Sequence, residues 1–172
     1  MPGYVNVDKY GTPDVTHDLE AFPWPWPDNS VGEVMLRHVL EHLGQQTDVY
    51  FGIVKELHRV CQADAHIFIV VPHFRHDYFY QDPTHVRAIT PEGLLHFSQR
   101  ANREYIAKGM ANSPLALYLN VNFELIQTKL KPSEHWFRLH PGPAADMDLL
   151  LKESALYNNL IEEYQMVLQV IK

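Results

Sequence analysis

Apolar residues fall along this chain in three rhythms. Over residues 4–8 and 15–19 they alternate with polar ones for a few positions, which predicts two short β-strands, the first ending on Asp8 before Gly11-Thr12-Pro13. Residues 31–36 and 65–71 are mostly apolar. The second of these runs is almost unbroken and stops at Pro72, the pattern of a central strand covered on both faces. Between them Tyr50, Ile53, Val54, Leu57, Val60 and Cys61 recur at helical spacing, with Thr47 placed to cap the helix. Strand, strand, strand, helix, strand is the rhythm of a parallel α/β sheet.

The rest of the chain is less regular. From Phe22 to Pro27 every second residue after Phe22 is proline, which removes main-chain donors and leaves a stiff extended connector, with Trp24 and Trp26 as lids on the core edge. Residues 73–89 are polar, aromatic and rich in histidine, with no sustained period, and read as a long functional loop. Thr90-Pro91-Glu92 then opens a helix by hydroxyl cap and first-turn proline, turning Leu94, Leu95 and Phe97 inward. Residues 117–125 alternate strictly and predict a half-buried strand; 135–143 read as a loop; 146–162 read as a helix; and 164–171 read as a closing strand, antiparallel at the edge of a mostly parallel sheet.

At 172 residues with 46% apolar content, the chain can bury one core and is expected to form a single domain over 1–172. A net charge of -7, from 14 basic and 21 acidic residues, argues against nucleic acid or an anionic membrane as partner. That leaves a small molecule or another protein. The lone Cys61 rules out an internal disulfide framework and suits a reducing, cytoplasmic setting, with the thiol as a buried apolar group. There is no signal-peptide pattern at Met1 and no apolar run of membrane-spanning length.

Two groups of residues carry ligand chemistry. His38-Val39-Leu40-Glu41-His42 fits H-x-x-E-H, in which two histidines a helical turn apart hold zinc and the glutamate acts as base, so a zinc peptidase through His38, Glu41 and His42 is a minor alternative, with Glu124 as a conceivable third ligand. His73, His76, Asp77, Asp82 and His85 form a second group without a recognised metal spacing; the expectation is solvated or hydrogen-bonded loop residues and no metal.

Asp18 and His38 each stand at or just past a strand end, and open α/β sheets bind ligands in the crevice beyond the carboxyl ends of their strands. The order of parts, from Gly3-Tyr4-Val5-Asn6-Val7-Asp8 through Asp18-Leu19, Phe22-Pro23, Asp28-Asn29-Ser30-Val31 and Arg37-His38-Val39-Leu40-Glu41-His42 to Glu56-Leu57-His58-Arg59-Val60 and Pro72, resembles the middle of a class I S-adenosylmethionine-dependent methyltransferase. The resemblance covers 2–98 well and the remainder in outline. It implies a Rossmann-like methyltransferase sheet, mostly parallel with antiparallel C-terminal strands. By the same resemblance Asp8 takes the ribose hydroxyls, Asp18 and Leu19 the adenine edge with Phe22 beside the base, and His38 the methionine part of the cofactor S-adenosylmethionine. Asp82-Pro83-Thr84-His85-Val86-Arg87 recurs in part of the family and marks the acceptor side: Asp82 and Arg87 as substrate-binding residues, and His73 or His85 as catalytic proton acceptors suited to a pH near 7. The acceptor is a small molecule or glycan.

The chain departs from the family in one respect. The family's first strand, which is central in its sheet, and its glycine-rich turn have no counterpart before Pro2, and none of the eight glycines stands closer than eight residues to another, so no Gly-x-Gly replaces it. Three arrangements would answer a first strand missing: Met1 is an internal start in a longer protein, the strand ending at Asp8 crosses to pair with 34–36, or a neighbouring chain fills the gap in a homodimer. In any short form the expectation is weak or absent cofactor binding. A non-catalytic dimeric remnant acting as a binding module is the alternative function.

Overall fold

The computed structural model describes residues 3–172, so the start of the resembling stretch at Pro2 lies outside the described residues. Its six strands form two sheets. β1 (Val7–Asp8) pairs in parallel with β2 (Val15–Thr16). β3 (Val31–Arg37), β4 (Cys61–Pro72), β5 (Phe123–Pro132) and β6 (Ile161–Val170) form a sheet in the order β3-β4-β6-β5, in which β3 and β4 are parallel and both β6 ladders are antiparallel. Parallel pairs followed by antiparallel C-terminal strands are the arrangement the sequence predicts. The strand ending at Asp8 keeps β2 as its partner, so it does not cross to β3. Among the described residues β3 is hydrogen-bonded along one edge only.

α1 (Thr47–Val60) follows from the apolar stripe already noted, and it lays Tyr50, Ile53, Val54, Leu57 and Val60 on the sheet. Thr47 does not cap it. Gln46 holds the cap position without a side-chain bond, and Thr47 is the first helical residue. Ile67, Ile69 and Val71 of β4 are fully buried in one cluster with α1, Leu94, Phe97 and Phe123. Phe68 and Val70, on the opposite face, are only half-buried and stand outside that cluster, so β4 is covered on one face rather than both. Truncating Ile67 to alanine would leave a cavity inside this cluster, at a cost of about 2–5 kcal/mol. Trp24 is buried within the same cluster, its indole N–H donating to the Leu19 carbonyl at 3.0 Å.

Several downstream expectations need correction. The stretch 73–89 is not all loop: it contains α2 (Asp77–Gln81), started by His76, whose Nδ1 accepts the Tyr78 N–H. After α3 (Pro91–Leu95), capped by Thr90 as expected, Ser98 caps a second helix, α4 (Gln99–Ala107). The alternating stretch 117–125 divides into α5 (Leu115–Leu119) and the start of β5, because Asn120 takes a left-handed conformation, φ 53°, that ends the helix. Residues 135–143 include α6 (Glu134–Leu139), capped by Ser133 and anchored by a fully buried Trp136. The predicted helix over 146–162 is the shorter α7 (Met147–Ser154), capped by Asp146, after which the chain turns at Asn159 into β6. Trp136, Leu150, Leu160 and Ile161 make a second, smaller cluster.

Candidate functional site

A cleft of about 570 Å3 opens beyond the ends of β3 and β4, lined by His38, Tyr78, Asp82 and His85 with Glu162 and Glu163 of β6. Sequence dictates its floor. β3 ends at Arg37, and His38 turns into a left-handed conformation, φ 52°, while its N–H still donates to the Val70 carbonyl at 2.9 Å. The ring therefore stands at the sheet's rim between two carboxylates, Nδ1 3.4 Å from Glu41 Oε1 and Nε2 3.3 Å from Glu163 Oε1. A single 3-10 turn, Leu40–His42, follows and buries Leu40 and Glu41.

The 82–87 segment is tied down onto this turn. The Glu41 carbonyl accepts the N–H groups of Val86 at 2.9 Å and Arg87 at 3.3 Å, which brings His85 against His42 with ring centroids 4.5 Å apart. Asp82 Oδ1 accepts both the Thr84 N–H at 2.8 Å and the Thr84 hydroxyl at 2.6 Å, and these bonds hold the Asp82 carboxyl below its usual range. His85 Nδ1 lies 2.8 Å from the Phe79 carbonyl. A carbonyl only accepts, so Nδ1 carries the proton and Nε2 keeps its lone pair.

His73 is differently placed. It is 5% exposed at the end of β4, between Phe74 and Tyr164 at 4.7 Å each, and its Nδ1 accepts the Arg75 N–H at 3.1 Å. Its lone pair is already engaged, and burial, with Arg75 and His76 nearby, pushes its pKa down to about 4. Of the two histidines expected to accept a proton, only His85 lines the cleft with a free lone pair.

Asp82 and Arg87, expected together on the acceptor side, face different cavities. Arg87 lines a second one of about 340 Å3 with Tyr50, Phe51 and Phe97, its guanidinium 4.2 Å over the Tyr50 ring and its Nη2 donating to the Gly44 carbonyl at 2.9 Å. At the other sheet, Asp8 Oδ1 accepts the Tyr10 N–H at 2.8 Å, Asp18 Oδ1 accepts the Glu20 N–H at 3.0 Å, and Lys9 Nζ lies 3.6 Å from Asp18 Oδ2. Leu19 packs against the main core. The H-x-x-E-H residues do not lie on one helix, and His38 and His42 turn to different partners: His38 to Glu163, and His42 to Thr84 and His85.

Glu163 and Thr84 escaped the sequence reading. Glu163 is a charged residue at a buried position of β6, but it falls between the predicted helix over 146–162 and the predicted strand over 164–171, so no pattern marked it; Thr84 announced itself only by its place in Asp-Pro-Thr-His.

The fold defined by these strands is that of class I S-adenosylmethionine-dependent methyltransferases. Over 90% of its length the chain is similar in structure to a SAM-dependent methyltransferase from Archaeoglobus fulgidus, with 17% identity, a TM-score of 0.53 and 66% of that chain covered. It is also similar over 90% of its length to the [4+2]-cyclase SpnF, with 15% identity, a TM-score of 0.50 and 55% of that chain covered. The chain thus spans about two thirds of the first protein and just over half of the second. No protein-family model matches the sequence. No curated protein matches it either. A fold shared by a methyltransferase and a cyclase fixes the architecture and leaves the reaction to the site.

Proposed function

We propose that this chain works in S-adenosylmethionine-dependent methyl transfer to a small-molecule or glycan acceptor, with weak cofactor affinity in the form described. The observation that carries this reading is the parallel pairing of β1 with β2, in register Val7↔Val15 and Asp8↔Thr16, which brings the two strands to a common end followed by Asp18. Asp8 would accept the ribose hydroxyls, Asp18 and Leu19 would recognise adenine, and His38 would flank the methionine part. Methyl transfer asks mainly for alignment of acceptor and methyl group, because the sulfonium is already activated. His85 is the proton acceptor available at the cleft, and Asp82 beside it orients the acceptor molecule. The single cysteine, Cys61, is buried and has no second cysteine to pair with in the sequence, which suits a reducing, cytoplasmic setting. Weak affinity follows from the absence of Gly-x-Gly in the sequence and from the open edge of β3.

The test is a titration with S-adenosylhomocysteine followed by amide resonances. Shifts at Asp8, Asp18, Leu19 and His38 that saturate only at millimolar ligand, and that vanish in Asp8→Ala, support the reading. Shifts confined to other residues, or none at millimolar ligand, overturn it; saturation at micromolar ligand overturns the weak-affinity part. A second reading, a non-catalytic homodimeric binding module, is favoured by the one-sided bonding of β3 and predicts a dimer that ignores the cofactor.

A further inference from the structure

Glu41 is 1% exposed, yet neither of its carboxylate oxygens accepts a hydrogen bond; His38 Nδ1 approaches Oε1 to 3.4 Å without hydrogen-bond geometry. A buried carboxylate without donors is costly unless a cation faces it. Besides His38, two further imidazoles stand beside it. One ligand atom from each of Glu41, His42 and His85 lies within 4.8 Å of the others.

The hydrogen bonds around these rings fix which nitrogens are free. Thr84 gives its hydroxyl proton to Asp82 Oδ1 at 2.6 Å, so its oxygen accepts from His42 Nδ1 at 2.8 Å. His85 Nδ1 donates to the Phe79 carbonyl at 2.8 Å. Both rings are thereby held with a proton on Nδ1 and a bare lone pair on Nε2. Imidazoles that bind metals are held this way, the far nitrogen donating to a carbonyl or to a carboxylate-linked group.

We propose that Glu41, His42 and His85 form a binding site for a divalent transition-metal ion of the zinc class, with an open coordination position on the side of the cleft that His85 lines. Two imidazoles and one carboxylate suit Zn2+ with a fourth, exchangeable ligand, and suit poorly Mg2+ or Ca2+, which take oxygen. The site differs from the zinc-peptidase pattern, because His38 is replaced as a ligand by His85 from another segment. Its occupancy and the role of His85 as a proton acceptor exclude one another, since each uses the Nε2 lone pair.

The experiment is titration of the metal-free full chain with Co2+ and then Zn2+, without S-adenosylmethionine, followed by visible ligand-field spectra and by metal content after dialysis. One Co2+ per chain giving tetrahedral or five-coordinate bands, displaced by Zn2+, is expected. His42→Ala and His85→Ala should abolish those bands, and Thr84→Val should weaken binding by about 10-fold to 100-fold by freeing the His42 ring. His140→Ala, a histidine elsewhere in the fold, should bind as the parent does. Each variant's far-ultraviolet circular dichroism checks that it folds, and His85→Asn serves if His85→Ala does not. No binding by the folded parent, or binding that survives both folded histidine variants or depends on His38, overturns the proposal. None of these outcomes bears on the methyl-transfer reading, which is tested by S-adenosylhomocysteine alone.

Discussion

The main-chain N–H of Trp24 donates to Glu56 Oε2 at 2.6 Å, joining the proline-rich connector to the middle of α1. Arg59 grips the same carboxylate through Nε at 2.8 Å and Nη2 at 2.7 Å, and its Nη1 reaches the Trp26 carbonyl at 2.9 Å. The connector has few main-chain donors of its own, so this one helix-borne carboxylate carries much of its attachment. Glu56→Ala leaves a buried N–H unpaired and is expected to cost about 1–3 kcal/mol in urea unfolding. The hydrogen bonds from Arg59, ahead of the one from Trp24, hold the Glu56 carboxyl below its ordinary 4.5. Its stabilisation is therefore complete above that value and is lost as pH falls through the lower folded one; Glu56→Gln should flatten this part of the acid-unfolding curve.

His73 predicts a second pH dependence, in a different window. Its pKa falls from 6.5 to about 4 on folding, chiefly through burial, so the unfolded chain binds the proton more readily. Stability is full above 6.5 and falls as pH drops toward 4, by an amount on the order of 2 kcal/mol once screening by nearby solvent is discounted. His58 and His76 are also lowered, mainly by burial, and add to the same slope. His73→Gln should reduce the slope without removing it, as read from urea midpoints across this range.

These residues also show how far the sequence could be read. The strands around β4 and the stripe on α1 were legible because burial imposes their periods directly. The stretch 117–125 was not, since one left-handed Asn120 converts an alternating pattern into a helix and then a strand, and alternation does not record where φ changes sign. Motif order singles out Asp8, Asp18 and His38 as expectations, and of these the structure sets His38 in the lining of the cleft and Asp8 at the end of β1. The grouping of Glu41, His42 and His85 could not be read from motif order, because it depends on the Glu41 carbonyl capturing Val86 and Arg87 from a distant loop.

Gly44 is the joint that makes the capture hold. Its φ is 69°, its N–H donates to Glu20 Oε1 at 2.7 Å, and its carbonyl accepts Arg87. A Cβ added there would meet Tyr50 Cβ at 2.6 Å and Tyr50 Cα at 2.7 Å. Main chain cannot yield as a side-chain tip can. Gly44→Ala is therefore expected to cost more than the roughly 1–2 kcal/mol of a left-handed alanine alone. It should also loosen the 82–87 loop, seen as faster amide exchange at Val86 and Arg87 than in the parent.

The open edge of β3 makes the homodimer testable without knowing any ligand. His38 N–H points to Val70 of β4, so by the two-residue alternation of a strand Val34 and Leu36 also donate toward β4, while Met35 and Arg37 direct their N–H groups outward. An added strand needs those outward donors. Met35→Pro removes one of them at an edge position where proline is tolerated, and the residue before it is already extended, so the β3–β4 ladder should survive. If two copies join along this edge, the parent sediments as a dimer whose population rises with concentration, and Met35→Pro sediments as a folded monomer. A parent that stays monomeric at high concentration, or a Met35→Pro variant that dimerises equally well, removes the homodimer from this edge.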